Sequence, residues 1–412
     1  MLATATASMA GGFAIREQSA QFQGSAFAGA AAGGGLSSMY WNPAAAGTVV
    51  GPGIIMESHY SLIMGYAEHT VDTFTPGAAV PAPVVAALPF LSKDSGDIAP
   101  LALVGASYVA YNLSPNLTAA MSLTSGFGLT TKPDKFNYLG AQLAQTTSLL
   151  TINAAPTLAY KIMPGVTVGA GVQIQYATAK FSFASGAPIG QTSAFRKADD
   201  VGFGATAGIL LEPMAGTSIG LGYRSNIKHK LEGEFSFSGG AYQKGASAEL
   251  DLPEIVTLSL RQAVAPNARL LGTVEWTNWS RFEQLKLDGT TPAIPAIPAN
   301  WSDGWFFALG GEYDLNPTMT LRAGVAYEIS PVDDPTKRLT SIPDNNRVWL
   351  SAGGSIKLTE TMSADFAYTH VFVENGEFDR ETSNLGPGSV SHITGHTEAH
   401  VDIFSVGIKS RW

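Results

Sequence analysis

Hydrophobic and polar side chains alternate, residue by residue, along several segments of this chain. Between residues 166 and 176 the even positions carry Val, Ala, Ile or Tyr, whereas the odd positions carry Thr, Gly or Gln. The alternation recurs over residues 321–328 and 347–358. A period of two places successive side chains on opposite faces of a β-strand. An apolar face opposite a polar face is typical of the wall of a transmembrane β-barrel.

Fourteen strands are predicted when this pattern is followed along the whole chain. Short turns, such as residues 163–165 and 316–317, alternate with connections that are mostly long. Outer-membrane barrels have short periplasmic turns and longer external loops. The predicted strands span residues 53–67, 99–111, 116–129, 150–162, 165–183, 198–213, 216–237, 247–263, 267–288, 301–314, 317–330, 346–358, 361–378 and 397–412.

Composition argues against a helical membrane protein. No uninterrupted apolar run reaches the ~18–20 residues that a spanning helix needs, and the nearest candidate, residues 77–91, contains three prolines. The chain is 45% hydrophobic and 14% charged, and no charged or low-complexity linker divides its 412 residues. A closed barrel is the other architecture that satisfies every backbone group in lipid. The predicted fold class is therefore all-β, a transmembrane antiparallel β-barrel of about 14 strands.

Small side chains dominate residues 11–47, which end in a cluster of Tyr, Trp, Asn and Pro at positions 40–43. Gly-Phe at 12–13, Glu-Gln-Ser at 17–19, the run from Gly24 to Gly29 and Asn-Pro-Ala at 42–44 carry a family pattern. The segment resembles the N-terminal plug of the FadL-type outer-membrane transporters of long-chain fatty acids, whose TodX-like relatives carry aromatic hydrocarbons. The resemblance implies a plug over residues 11–47, inside the lumen of a barrel formed by residues 48–412.

Export to the bacterial outer membrane fits both ends of the chain. Residues 1–10, with small side chains at Ser8 and Ala10, are interpreted as the remnant of a signal peptide. The absence of cysteine is compatible with an oxidising periplasm. Phe404, Val406 and Trp412 share one parity at the C-terminus, which predicts recognition by the barrel assembly machinery. Outer-membrane lipid and lipopolysaccharide are the expected surroundings, and the net charge of −9 indicates no nucleic-acid partner.

A channel for hydrophobic solutes needs an apolar capture surface outside the membrane, because burial of apolar area is worth ~25 cal/mol per Å². Exposed apolar groups in loops mark such surfaces. The candidates in the first two long loops are Val84, Leu88, Phe90, Phe136 and Leu139. The alternative is that these loops pack on each other.

The resemblance also implies an inner pocket, a plug contact and a lateral exit. Phe13 and Ile15 would belong to a pocket in the lumen near the start of the plug. Asn42 would satisfy buried backbone groups, and Pro43 would direct the chain toward the first strand. The family has an inward kink in its third strand that opens the wall sideways. Here that kink would fall on Gly126, Phe127 and Gly128, since glycine permits bends.

Two cations in the seventh predicted strand point to the lumen by parity, Arg224 and Lys228. They could hold a fatty carboxylate by charge-assisted hydrogen bonds. They could equally pair with the inward-facing Glu275, Glu312 and Glu328, or hold the plug in place. Sequence reasoning leaves these roles open.

Catalytic and cofactor sites are not predicted. The chain contains no GxSxG elbow, HExxH motif or Walker loop. Along an extended segment, neighbouring members of the set His392, His396 and His400 would lie roughly 13 Å apart, too far to share one metal ion. The predicted function is uptake of hydrophobic small molecules by diffusion, with no cofactor and no catalysis. Long-chain fatty acids are the leading substrate and monoaromatic hydrocarbons the alternative. A non-transporting structural barrel or adhesin is the alternative of another class.

Overall fold

A computed structural model describes residues 11–48, 53–135, 137–185, 191–384 and 390–412. Two sequence predictions lie outside these residues: the signal-peptide remnant at residues 1–10, and Phe136 of the capture surface.

Fourteen antiparallel strands form one closed barrel, and this confirms the predicted fold class. Each strand pairs with the next, and β14 pairs with β1 from Ile55↔Arg411 to Thr75↔His392. The strands are β1 Ile54–Thr75, β2 Ala102–Asn112, β3 Leu117–Thr124 with Gly128–Thr131, β4 Thr146–Met163, β5 Val166–Ser185, β6 Gln191–Met214, β7 Thr217–Arg224 with Ile227–Ser236, β8 Gln243–Leu252 with Ile255–Ala265, β9 Ala268–Thr277, β10 Gly304–Asn316, β11 Met319–Ile329, β12 Arg347–Lys357, β13 Met362–Val373 with Gly376–Thr382, and β14 Ser391–Arg411.

The two faces of the wall are those of a membrane barrel. On β5, Val172, Ile174 and Tyr176 are exposed, whereas Gln173 and Gln175 are buried. This reverses the arrangement of a soluble protein, because the exposed apolar side chains face lipid. The buried face is called the inner face below.

Four strands are interrupted where the sequence predicts continuous ones. The breaks fall between Thr124 and Gly128 in β3, and at residues 225–226, 253–254 and 374–375 in β7, β8 and β13. At each break the parity of the inner face changes. A β-bulge has this effect, since one unpaired residue shifts every later side chain to the other face.

The predicted ninth strand is also too long, since β9 ends at Thr277 rather than at residue 288. Trp279 and Phe282 are both buried. Their spacing of three is the period of the 3₁₀-helix that forms at Trp279–Arg281.

Helices and short strands lie in the N-terminal segment and the loops. None of the helices in the described part of the chain is long and apolar enough to cross a membrane. The α-helices are α1 Ala20–Gln23 and α2 Ala82–Ala87; the 3₁₀-helices are Leu36–Tyr40, Pro43–Thr48, Leu88–Phe90, Leu139–Gln142, Trp279–Arg281 and Pro335–Lys337; the short strands are Asp94–Asp97, Gln284–Leu285, Leu287–Asp288 and Ile297–Pro298.

Residues 11–48, called the N-terminal segment, contact the inner face on several sides of the ring. Gln23 donates to the carbonyl of Ile403 on β14 at 3.2 Å, and the amide of Gly29 donates to Gly272 on β9 at 3.3 Å. Inner-face glycines make these contacts possible. A Cβ added at Gly222 of β7 would lie 1.8 Å from the carbonyl oxygen of Trp41.

Candidate ligand-binding site

The start of the N-terminal segment is held by two buried carboxylates. The amide of Gly11 donates to Glu328 at 3.1 Å, and the amide of Gly12 donates to Asp344 at 3.0 Å. Gly12 has a φ of +65°, and a Cβ there would lie 2.7 Å from the ring of Trp279. Only glycine fits this position, so the Gly-Phe step found in the sequence has a steric cause.

Phe13 sits in an aromatic cluster. Its ring centroid lies 4.6 Å from that of Trp279, 5.6 Å from Phe282, 6.1 Å from Trp301 and 6.2 Å from Phe127. These are edge-to-face or tilted arrangements, which aromatic pairs prefer. The cluster joins the N-terminal segment to β3 and to the loop after β9.

An apolar cavity, called the inner cavity, opens beside Phe13. It holds about 670 Å³ of empty space, part of it open to solvent. Its apolar walls come from strands and loops far apart in the sequence. They include Leu129, Leu149, Phe181, Phe195, Leu231, Leu250, Phe282, Leu339 and Ile342.

Ile15 lies elsewhere, although the resemblance grouped it with Phe13. It is buried in a second apolar cluster with Phe27, Trp41 and Trp349. Two residues of extended chain advance about 6.7 Å, which carries Ile15 past the inner cavity.

The break in β3 lies directly against this part of the N-terminal segment. Gly128 donates to the carbonyl of Phe13, and Ile15 donates to that of Gly126, both at 2.9 Å. The ladder between β2 and β3 ends at Ser107↔Leu123. Gly126, Phe127 and Gly128 therefore lie where the strand leaves its neighbour, and a Cβ on Gly126 would meet the Tyr40 hydroxyl at 2.8 Å.

The end of the N-terminal segment is fixed through Asn42. Its amide donates to Ala31 O at 2.9 Å and Ile209 O at 3.0 Å, and its oxygen accepts from the amide of Ala44 at 3.0 Å. Pro43 begins the 3₁₀-helix that leads toward β1.

Most described residues of the expected capture surface are buried. Leu88 and Leu139 share one cluster with Val71 and Phe378, and Val84 packs in another. The expectation that these three side chains are exposed is wrong, because the two loops and the tops of the strands pack together. Phe90, by contrast, is 88% exposed.

Arg224 and Lys228 do not share the lumen. Arg224 is buried, donates to Tyr40 O at 3.0 Å, bonds the side chain of Gln173 and lies over the Tyr40 ring. The side chain of Lys228 is 74% exposed and lies 3.5 Å from Asp251. The prediction for Lys228 is wrong because the break at residues 225–226 reverses the parity of β7.

A buried ion network anchors the N-terminal segment. Arg16 donates to Glu275 at 2.6 Å and to Glu328 at 3.2 Å, and its guanidinium lies 3.7 Å from the centroid of the Phe306 ring. Trp349 donates its indole N–H to Glu328 at 3.1 Å. Sequence reasoning placed Glu275 and Glu328 inside the barrel but missed Arg16 as their partner. The cation in a segment of small residues was the available signal.

The three C-terminal histidines lie along β14. His392 bonds Asp379, and His396 lies 3.2 Å from Asp72. No group of three or more His, Asp or Glu side chains within the described residues could hold a metal ion.

Comparisons with known proteins agree with this architecture. A family model described as "Outer membrane protein transport protein (OMPP1/FadL/TodX)" matches residues 1–412. The long-chain fatty acid transport protein of Escherichia coli O6:H1 is 30% identical over 329 residues, 70% of this chain and 73% of that protein. The crystal structure of a Pseudomonas aeruginosa FadL homologue has a TM-score of 0.85 at 22% identity, covering 97% of this chain and 99% of that chain. The Ralstonia pickettii toluene transporter TbuX has a TM-score of 0.66 at 16% identity, covering 95% and 97%.

Proposed function

This chain belongs to the OMPP1/FadL/TodX family of outer-membrane transport proteins, and on that premise we propose that its substrates are long-chain fatty acids. The family consists of transport channels for hydrophobic compounds and not of enzymes. The fatty-acid assignment is supported by the 30% identity to a long-chain fatty acid transport protein.

The proposed route has three stages. Exposed apolar loop residues, of which Phe90 is the clearest, capture the solute. It then enters the inner cavity beside Phe13 and leaves sideways into the membrane through the break in β3. The N-terminal segment acts as a plug that prevents free leakage along the lumen, and the barrel around it is formed by residues 48–412.

One observation carries this proposal: Phe13 belongs both to the inner cavity and to the break. Its ring lines the cavity, and its carbonyl accepts the amide of Gly128, where β3 resumes after the break. A ligand that displaces the Phe13 ring therefore acts on the residue that closes the break. Cavity and exit are linked through a single residue.

Uptake of labelled oleate and toluene by cells that lack their own channel tests the substrate. We expect expression of this chain to restore uptake of oleate, and Phe13→Ala to reduce it. Uptake of toluene alone would favour the monoaromatic alternative. Uptake of neither would favour a non-transporting barrel.

A deletion of residues 125–127 tests the exit. Thr124 and Leu129 both face inward, and removing three residues between them restores a spacing of two, so β3 can continue without a break. We expect the variant to bind oleate but to lose uptake. Unchanged uptake would contradict lateral release while leaving the substrate assignment intact.

A further inference from the structure

A second cavity, called the outer cavity, adjoins the inner cavity on the side of the long loops. It holds about 850 Å³ of empty space, part of it open to solvent, and is bordered by Gln142, Ile294, Ile297 and Arg380 among others. Phe181, Leu285, Leu287, Leu339 and Ser341 line both cavities. The two cavities therefore share a wall of mainly apolar side chains.

Gln142 borders the outer cavity, and its side-chain amide is buried. The residue is 1% exposed, and neither Nε2 nor Oε1 has a hydrogen-bond partner among the described residues. Its backbone is fixed, since its carbonyl accepts from Asn384 at 2.7 Å. A buried polar group without a hydrogen-bond partner is destabilising. A polar ligand here would supply the hydrogen bonds that no described residue makes.

Arg380 brings a buried positive charge to the same cavity. It is 6% exposed and donates to two neutral carbonyls, Thr336 O and, at 3.0 Å, Pro298 O. Among the described residues it has no carboxylate within salt-bridge distance. A guanidinium has five N–H donors, so these two bonds leave three. Of its sequence neighbours, Asp379 bonds His392. Glu381 is exposed and also borders the outer cavity.

The other residues that border the outer cavity are both apolar and polar, and the polar ones include Thr340, Glu381 and Thr382. Leu143, Phe183, Ile294 and Ile297 supply side chains on its walls, and the inner cavity beyond it is almost wholly apolar. A cation and an amide in a cavity that adjoins an almost wholly apolar one match a molecule with an anionic head and an apolar tail. Toluene has no group that would use either side chain.

We propose that Gln142 and Arg380 bind the carboxylate head group of an amphiphilic substrate in the outer cavity, while its tail occupies the inner cavity. This assignment rests on the proposed uptake of fatty acids and replaces Arg224 and Lys228 as candidates for head-group recognition. Arg380 supplies the charge, and Gln142 supplies a donor that has no partner among the residues described.

The test compares oleate with oleyl alcohol, which has the same tail and no charge. Both are titrated into the purified protein in lipid nanodiscs, with empty nanodiscs as background. We expect Arg380→Gln to weaken oleate binding about 10- to 100-fold, as for loss of a charged hydrogen bond, and to change binding of the alcohol less than about threefold. Arg380→Lys keeps the charge and should recover part of the affinity.

Arg338 offers a matched control. It is also a buried arginine that donates to two backbone carbonyls, Asp344 O and Glu377 O, but it does not line the outer cavity. Arg338→Gln should therefore leave the preference for oleate over the alcohol unchanged. Gln142→Leu should weaken oleate binding up to about tenfold without lowering the unfolding temperature of the ligand-free protein, since the amide has no partner to lose.

Four outcomes would overturn the assignment. Equal losses for oleate and alcohol in Arg380→Gln would make Arg380 a structural support, and unchanged oleate binding would remove it from the site; the proposed function would survive both. A similar loss of oleate preference in Arg338→Gln would show that any disturbance of these loops has this effect. If the unaltered protein binds toluene and not oleate, the proposed function fails as well.

Discussion

Replacement of Gly222 by alanine should release the N-terminal segment from the wall without opening the barrel. The added Cβ would lie 1.8 Å from Trp41 O, 2.8 Å from Trp41 C and 3.0 Å from the Cα of Asn42. Backbone atoms cannot swing aside as a flexible side chain can. To reach the 3.4 Å at which ordinary contact begins, the segment must move by about 1.6 Å.

That movement has an energetic cost that can be estimated. Overpacking costs ~1–3 kcal/mol. The flanking hydrogen bonds from Arg224 to Tyr40 O and from Asn42 to Ile209 O, each 3.0 Å long, would open, and each contributes ~0.5–1.5 kcal/mol. A total near 3 kcal/mol corresponds to a roughly hundredfold increase in the undocked fraction.

A cysteine reporter measures this fraction, because the chain contains no other cysteine. Ser37 is fully buried in the N-terminal segment, so a Ser37→Cys thiol reacts with a maleimide only when the segment moves. Labelling rates of such a group follow the population of the open form. Gly222→Ala should raise the rate about a hundredfold, while the heat-dependent gel shift of the folded barrel persists.

Gly272→Ala is the matched control, since its Cβ would have 3.8 Å to the nearest atom. Both variants change a strand glycine to alanine, so effects on the unfolded chain cancel. If Gly222→Ala and Gly272→Ala label at the same rate, contact between the segment and the wall does not depend on this glycine, and the steric argument is refuted.

Three further predictions follow from the contacts of the site. Arg224→Gln should speed labelling of the same reporter and weaken binding of oleate and oleyl alcohol alike; selective loss of oleate in the titration would return Arg224 to head-group recognition. Deletion of residues 11–40 should leave an inserted barrel, because the strands pair with one another, but raise its ion conductance in a planar bilayer; unchanged conductance would make the segment an inert filler. Phe90→Ser should reduce oleate uptake at unchanged stability. Leu88→Ser should instead lower the free energy of unfolding by ~2 kcal/mol, as for a buried leucine, and with it the unfolding temperature. The reverse pattern in uptake and thermal-melt assays would exchange the roles of the two residues.

The barrel was predictable because lipid on one side and polar groups on the other impose a strict period of two. That rule fails where strands break. In β8 the break at residues 253–254 includes Pro253, which cannot donate to the ladder, so a signal was present. In β7 the break at Ser225 and Asn226 carries no such mark, and Lys228 was assigned to the wrong face.

The site was predictable in part, for a related reason. Phe13 and the break at residues 125–127 are encoded locally, by a Gly-Phe step and by a pair of glycines. Gln142 lies in a loop and Arg380 on β13, 238 positions apart, and only the fold brings them to one cavity. Leu88 and Leu139 were expected to be exposed, because the local sequence of each loop does not show that the two loops pack together.

Glu328 receives the amide of Gly11 across 317 positions of sequence and the guanidinium of Arg16 across 312. Residues of the N-terminal segment thus bind a partner in the last third of these 412 residues. Contacts of such separation form late, because the long loop must close before they yield any stabilisation. The N-terminal segment, which is rich in apolar groups, therefore docks only after the strands of the wall have paired. Biogenesis of this protein must protect the N-terminal segment until Glu328 and its neighbours in the wall are in place.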